Sequence, residues 1–277
     1  MRLSKEFIGE SLGTFILVLF GCGSVAVSVL FGAYQGIMQI ALAWGIGVTL
    51  AIYLTRHLSC AHLNPAVTLA MVIAGRMKAR KIPVYLAAQF IGAFLAGLAI
   101  YLLFGPSISA YEAAHTIVRG SPESIQTAKM FGEYYSVTGS AAVVSMPLAM
   151  GAEAFGTFIL LLMIFALTEG CNIGRPHDAM APLFIGLTVS SIICLIAPLT
   201  QAGLNPARDF GPRMVAWIFG WGEAAFPDTT GGFFLVYILA PVIGGIIAAL
   251  FFVKIIEPAM KGTPEKCDCN CEGKVKG

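Results

Sequence analysis

The sequence predicts an all-α membrane protein with six transmembrane helices and two re-entrant half-helices, arranged as an inverted repeat. Three observations lead to this fold class. Hydrophobic residues make up 57% of the chain and charged residues 12%, whereas about a quarter of the residues in soluble domains are charged. Six apolar runs are long enough to cross a membrane, and two shorter runs each begin after the same motif, Leu-Asn-Pro-Ala. The two halves of the chain also resemble each other in sequence.

The six long apolar runs define the predicted spans. They lie at about residues 7–31, 36–55, 84–104, 148–168, 179–199 and 232–256. Each is close to the ~20 residues with which a helix crosses a ~30 Å hydrocarbon core. The two short runs, at about 65–75 and 206–218, would cover only about half of that thickness. We expect each to be a half-helix that enters from one side, because irregular backbone at membrane depth is tolerated only inside protein or along a wet cavity.

An internal repeat divides the predicted membrane domain, 1–257, into two halves. The segment 10–17 (ESLGTFIL) is matched by the segment 153–160 (EAFGTFIL). Each half reads span, span, half-helix, span, so the second half is upside down relative to the first. Inverted repeats place the working site at their interface, near the middle of the membrane. The predicted segments are repeat one at about 5–104, an extracellular loop at 105–147, repeat two at about 148–257 and a cytoplasmic tail at 258–277.

The distribution of basic residues predicts the orientation. Most Lys and Arg residues fall on one side of the six-span arrangement, which favours a membrane location with both termini in the cytoplasm. They are Arg2, Lys5, Arg56, Arg76, Lys78, Arg80, Lys81, Arg175, Lys254 and Lys261. We interpret the loop at 105–147 as a connector, with a functional lid as the alternative. The net charge of +2 gives no reason to expect a nucleic-acid partner.

The C-terminal tail contains three alternating cysteines, Cys267, Cys269 and Cys271. Thiolates in such a cluster could bind a soft metal such as Zn²⁺ or Cu(I). The alternative interpretation, which we prefer, is a disordered tail kept reduced in the cytosol. We predict no cofactor and no metal site in the membrane domain.

Each short apolar run begins with the signature of a helix start. Asn64 and Asn205 are favoured N-cap residues, because the side-chain oxygen accepts a bond from an orphan backbone N–H. Pro65 and Pro206 suit the first helical position, which needs no N–H donor, and Ala66 and Ala207 follow. The cap leaves the donors of the Asn side-chain NH₂ group available. Two such starts facing each other would direct these donors and two positive dipole ends at one point.

Charged residues inside a membrane are costly and mark functional candidates. Glu10 and Glu153 occupy equivalent positions in the two repeats, so one explanation should serve both. We expect carboxylates that accept hydrogen bonds from backbone N–H groups of the re-entrant loops. The alternative is a proton relay, which lacks a paired Lys or His in the spans. Asp209 is expected to be structural, because an acid suits the first turn of a helix.

Arg208 breaks the symmetry of the repeat, since Val67 holds the matching place. A cation in the first turn is disfavoured by the helix dipole, which suggests a function. Facing a pore, its guanidinium would donate hydrogen bonds to hydroxyls and repel cations. The alternative is a salt bridge that holds the loop, for example to Asp209.

The residues before each Asn are expected to act through their backbones. Irregular backbone at this depth offers carbonyl groups as acceptors for hydroxyls or water. His62 could instead contribute its imidazole, although it has no metal-ligand partner nearby. With the donors of both Asn residues and Arg208, these carbonyls would form a polar stripe opposite apolar walls. The candidates are Cys60, Ala61 and His62 in the first loop and Gln201, Ala202 and Gly203 in the second.

These motifs resemble the major intrinsic protein family, and within it the aquaglyceroporins or glycerol facilitators. The resemblance covers roughly residues 5–257 and rests on the segments SCAHLNPAVT, at 59–68, and NPARDFGPR, at 205–213. It implies six spans, two half-helices, one pore per subunit and a homotetramer. By position it also implies a selectivity filter of Trp44, Ile193, Ala202 and Arg208. Asp209 after the Arg is similar to the glycerol-conducting branch.

Two filter positions depart from that branch. Its members usually have an aromatic residue at the position of Ala202 and Gly at the position of Ile193. The large residue is therefore expected on the other side of the pore, which changes its width and the preference for glycerol over water. Trp44 as an interfacial anchor and Ile193 facing lipid are the alternative interpretations.

The resemblance implies a passive channel for glycerol and other small uncharged solutes, with water, that excludes ions and protons. The expected partners are therefore glycerol, water, the lipid bilayer and further copies of the chain. One alternative is a channel chiefly for water, ammonia or metalloid acids. Others are a coupled secondary transporter, since broken helices also build those, and a structural membrane protein with a closed pore. An enzyme is not expected, because the spans contain no nucleophile–base pair or phosphate loop.

Overall fold

The computed structural model describes residues 4–34, 36–135, 143–226 and 231–261, which contain helices and no strand. Short 3₁₀ or π-helical turns adjoin several of the α-helices. The α-helices are α1 (Lys5–Phe31), α2 (Ile37–Ser59), α3 (Pro65–Ile73), α4 (Ile82–Ala114), α5 (Ile125–Ala128), α6 (Met146–Thr168), α7 (Ala181–Thr200), α8 (Pro206–Ala216), α9 (Ala240–Phe251) and α10 (Glu257–Lys261).

Six helical segments in the described residues are long and apolar enough to cross a membrane. Four of them are α1, α2, α6 and α7, while α4 and α9 form the regular parts of the other two, Ala79–Ala114 and Phe234–Lys261. The half-helices α3 and α8 have only nine and eleven residues, or about 15 Å of helix each. The predicted fold class is confirmed, with its six spans and two half-helices.

Helix α4 is longer than the sequence analysis predicted. It continues to Ala114, past the end of the span predicted at about 84–104. Pro106 lies inside the helix, although an interior Pro removes one backbone bond and usually ends a helix. The far end of α4 is held from outside: Glu112 accepts hydrogen bonds from Arg119 Nη2 and Thr127 Oγ1, both at 2.8 Å. These contacts attach the end of α4 to the segment that follows it.

At the C-terminus, α10 extends to Lys261, a few residues into the predicted tail. The three cysteines predicted to form a metal cluster or a reduced tail, Cys267, Cys269 and Cys271, lie outside the described residues.

Glycines allow the spans to pack closely. A Cβ atom added at Gly92 would lie 2.2 Å from the Ser11 carbonyl oxygen, and one at Gly244 would lie 2.0 Å from that of Ala154. These contacts join α1 to α4 and α6 to α9, the equivalent pairs of the two repeats. Small residues that let helix backbones touch are typical of membrane interfaces.

Each half-helix packs against the opposite repeat. Helix α3, from repeat one, lies against α9, whereas α8, from repeat two, lies against α4. The exchange joins the two halves and brings the first residues of α3 and α8 together in the interior of the protein.

Candidate functional site

The loops before α3 and α8 share an unusual backbone. In each, three residues that are not glycine have a left-handed conformation, with φ between 53° and 65°. They are Cys60, Ala61 and Leu63 in the first loop and Gln201, Ala202 and Leu204 in the second. A left-handed non-glycine residue costs on the order of 1–2 kcal/mol. The loops therefore need external partners to keep this shape.

Glu10 and Glu153 are those partners. The fully buried carboxylate of Glu10 accepts hydrogen bonds from the backbone N–H of His62, at 2.9 Å, and of Leu63, at 2.7 Å. Glu153, equally buried, accepts from the N–H of Gly203, at 2.9 Å, and of Leu204, at 2.7 Å. Each acid thus holds the re-entrant loop of its own repeat in the same way.

The two Asn residues cap their half-helices and also join the loops. Asn64 Oδ1 accepts from the N–H of Ala66 at 2.8 Å, and Asn205 Oδ1 accepts from that of Ala207 at 3.1 Å. Asn64 Nδ2 donates to the carbonyl of Leu204 at 2.9 Å, and Asn205 Nδ2 donates to that of Leu63 at 2.8 Å. Because one N–H of each amide is used in this way, at most one remains on each Asn for a solute.

A cavity of about 840 Å³ runs past both Asn residues towards the basic side of the molecule. All four predicted filter residues line it, so Trp44 and Ile193 face the cavity and not only lipid. Five of the six predicted carbonyl residues line it too: Cys60, Ala61, His62, Ala202 and Gly203. Gln201 is the exception, since its side-chain oxygen accepts from the N–H of Tyr134 at 2.8 Å. It holds the segment between the two repeats and does not line the cavity.

His62 is a wall residue of the cavity. Its ring lies 4.9 Å from that of Tyr85, and its Nδ1 is 3.3 Å from the hydroxyl of Thr68. No group of three His, Cys, Asp or Glu residues that could hold a metal occurs in the described part of the chain.

Arg208 and Trp44 form one end of the cavity. The guanidinium carbon of Arg208 lies 4.1 Å from the centre of the Trp44 ring, a cation–π contact. Both side chains are almost fully buried. Arg208 also forms an ion pair through Nη2 with Glu133, and its Nη1 is 3.9 Å from Asp209. The two interpretations of Arg208 therefore coexist, since it both lines the cavity and pairs with a loop residue.

Asp209 has a different main partner. It pairs with Arg213 one helical turn later, at 2.9 Å from Nε, and accepts the backbone N–H of Glu133 at 2.8 Å. The salt bridge between Arg208 and Asp209, the alternative interpretation of Arg208, is thus the weaker contact of each residue.

A family model described as Major intrinsic protein matches residues 1–252. The chain belongs to the major intrinsic protein family. Its relatives include the Propanediol uptake facilitator PduF of Citrobacter freundii, 42% identical over 92% of this chain and 93% of that protein. The Glycerol uptake facilitator protein of Escherichia coli (strain K12) is 41% identical, over 92% and 89%. The X-ray structure of the aquaglyceroporin from Plasmodium falciparum matches with a TM-score of 0.80 and 30% identity, over 93% of this chain and 98% of that one.

This major intrinsic protein has one site residue that the sequence analysis missed, Glu133. It lies in the segment between the repeats, outside every span and motif, and yet is 5% exposed and paired with Arg208. Burial raises the pKa of Glu133 to about 7, although the positive charge of Arg208 opposes the shift. The sequence offered one weak signal, an acid between the aromatic residues Phe131 and Tyr134.

Proposed function

We propose that this protein is a passive transmembrane channel through which glycerol and other small uncharged solutes diffuse, together with water, while ions and protons are excluded. The observation that carries the proposal is the cavity, in which a few donors and backbone groups lie among apolar walls. Relatives named as glycerol and propanediol facilitators, at about 41% identity and nearly full length, support the choice of solute.

The filter would recognise the two edges of a polyol separately. Arg208 offers donors to hydroxyl groups, while Trp44 and Ile193 offer apolar surface to the carbon backbone. Such a solute replaces its lost hydration with hydrogen bonds on one side only. Ions cannot do so, because the guanidinium of Arg208, the charged group of the predicted filter that lines the cavity, repels cations and the apolar walls do not solvate anions.

Proton exclusion would arise where the loops meet. The N-termini of α3 and α8 carry positive dipole ends, and Asn64 and Asn205 line the cavity beside them. Water that accepts a hydrogen bond from each Asn is oriented away from this point on both sides. A proton moving along the water would therefore meet a positive centre and a broken hydrogen-bond relay.

The assembly and orientation are part of the same proposal. We infer a homotetramer in the lipid bilayer, with one pore per subunit and both termini in the cytoplasm. The family supports the tetramer, and the basic residues around the mouth of the cavity, such as Arg56 and Lys78, support the orientation. No reaction is proposed, because the site offers hydrogen bonds and shape but no nucleophile paired with a base.

Uptake kinetics test this function. The initial rate of glycerol entry into proteoliposomes should rise linearly with glycerol concentration over a wide range. It should not change when a proton or sodium gradient is imposed or collapsed. A rate that saturates and requires such a gradient would instead identify a coupled transporter.

A channel chiefly for water, ammonia or metalloid acids is the second candidate, because Ala202 leaves the filter without a second aromatic wall. The variant Ala202→Phe distinguishes the two. It narrows the pore beside Trp44, so we expect glycerol permeability to fall by about tenfold, which corresponds to about 1.4 kcal/mol in the barrier to permeation. Water permeability should change less. Equal effects on both solutes would favour the second candidate. Val143→Phe, on the exposed extracellular side, is the control.

A further inference from the structure

Three buried charged residues beside the filter do not line the cavity: Glu133, Asp209 and Arg213. Arg213 is fully buried, and its guanidinium lies between Asp209 and three aromatic rings. A buried ion pair is weak evidence for stability, since apolar residues of similar volume often replace one without loss. The position of these charges against the filter therefore suggests another role.

Arg213 and Asp209 hold the backbone of Glu133 on both sides. Asp209 Oδ1 accepts the Glu133 N–H at 2.8 Å, and Arg213 Nη2 donates to the Glu133 carbonyl. Arg213 Nη2 also donates to Asp209 Oδ1 at 2.9 Å. The result is a closed ring of hydrogen bonds around one peptide segment. We call Asp209 and Arg213 together the clamp.

The neighbours of Glu133 fit this arrangement. A Cβ atom at Gly132 would lie 2.5 Å from the guanidinium carbon of Arg213, so a larger residue would displace the segment. Tyr134 packs its ring 4.9 Å from the same carbon, and its N–H donates to Gln201. Each of these contacts attaches the extracellular segment to repeat two.

The side chain of Glu133 then determines what Arg208 presents to a solute. With the Trp44 ring on one side and the Glu133 carboxylate on Nη2, the guanidinium has a fixed position. The carboxylate also occupies donors and offsets part of the positive charge. Without this carboxylate the positive charge of Arg208 would not be offset and its Nη2 donors would be free. Arg208 would then hold water and hydroxyl groups longer, since hydrogen bonds from a charged donor are the strong ones.

We propose that Arg213 is a positioning residue of the selectivity filter. Through the clamp it holds the Glu133 carboxylate on Arg208, and this contact sets the ratio of water permeability to glycerol permeability. The inference rests on the proposed channel function. Water can interact with the filter only through hydrogen bonds, and Arg208 is the charged donor among the predicted filter residues that line the cavity. Glycerol also contacts the apolar walls, which the clamp does not touch. Loss of the clamp therefore slows water more than glycerol.

The test compares water and glycerol permeability of proteoliposomes for Arg213→Lys, Gly132→Ala, Glu133→Gln and the double variant Arg213→Lys/Glu133→Gln. Each single variant should lower the ratio of water permeability to glycerol permeability by at least about threefold. This corresponds to a change of about 0.7 kcal/mol in the difference between the two permeation barriers. The double variant should shift it no further than Glu133→Gln alone, because residues that act through one contact are not additive.

Two matched controls separate positioning from folding. Arg119→Lys alters another Arg on the proposed extracellular side, which is partly buried and pairs with Glu112. Gly105→Ala adds a Cβ where no atom lies within 4 Å. Both controls should keep the wild-type ratio. Gly132→Ala retains every charge, so it decides the question if Arg213→Lys yields no folded protein.

Three results would overturn the proposal. The first is a folded Gly132→Ala variant with the wild-type ratio of water to glycerol permeability. The second is a fall of both permeabilities by the same factor in the single variants, in proportion to the amount of folded protein. The third is a shift of the ratio in the double variant that equals the sum of the shifts in the two single variants. Wild-type vesicles that conduct neither solute would instead overturn the proposed channel function, so the two failures are distinguishable.

Discussion

At the residue scale, the site depends on a few polar groups that each have more than one contact. Asn64 caps α3 and also donates to the opposite loop. Glu10 binds two backbone N–H groups and the side chain of Gln89. Because an unsatisfied buried donor costs on the order of 1–3 kcal/mol, such groups tolerate little substitution.

The variant Glu10→Gln tests the support of the first loop. An amide offers one acceptor oxygen where the carboxylate offered two, so the N–H of His62 or Leu63 loses its partner. We expect a loss of about 1–3 kcal/mol in the free energy of unfolding, measured as a lower melting temperature of the purified protein in detergent. Glu123→Gln, at an exposed position, should have no such effect. Equal stability of the two variants would show that Glu10 does not hold the loop.

The raised pKa of Glu133 predicts a pH-dependent filter. With a pKa of about 7, its side chain is mostly ionised at about pH 8 and mostly protonated at about pH 6. Protonation removes the anionic partner of Arg208, so water permeability should fall as the pH falls, with a midpoint near that pKa. Its charged or titratable neighbours are Arg208, Asp209 and Arg213 on α8, Lys129 and Tyr134 on its own loop, Cys22 on α1, Glu153 on α6 and Tyr237 before α9.

Stopped-flow water permeability of wild type and Glu133→Gln, measured across that range, checks the prediction. The variant should be insensitive to pH and resemble the wild type at the acid end. A wild-type profile that is flat, or that persists in Glu133→Gln, would assign the titration to another group.

At the element scale, the half-helices were predictable and the end of α4 was not. The starts of α3 and α8 follow from local chemistry, since Asn64 and Asn205 cap them and a Pro comes next. The end of α4 depends on Arg119 and Thr127, which lie outside the helix. Local patterns describe a cap, but they do not describe a partner supplied by a distant segment.

The crossing of α2 and α7 is another feature of this scale. A Cβ atom at Gly186 would lie 2.3 Å from the carbonyl oxygen of Gly45. Gly186→Ala should therefore force the helices apart and destabilise the protein by about 1–3 kcal/mol, seen as a lower melting temperature in detergent. Gly151→Ala, within α6 where a Cβ would meet no atom within 4 Å, should not lower it, because Ala favours a helix over Gly. An equally stable Gly186→Ala would mean that the crossing can relax without cost.

At the scale of the whole molecule, two inverted repeats build one pathway, and the segment between them supplies a part that neither repeat contains. The repeats, the two Asn residues and the two supporting acids were predictable, because each recurs as a motif at an equivalent position. The pairing of Glu133 with Arg208 was not. It joins residues far apart in sequence, one of them in a segment with no periodic pattern and no counterpart in the repeat.

The most direct test of the channel is stopped-flow light scattering of proteoliposomes. The vesicles are exposed first to an osmotic gradient that draws water out and then to an inward glycerol gradient, and both rates are compared with those of protein-free vesicles. We predict rapid water loss and rapid glycerol entry, both well above the protein-free rates, with little leak of protons. If the vesicles that contain the protein take up glycerol no faster than protein-free vesicles, this chain is not a glycerol channel.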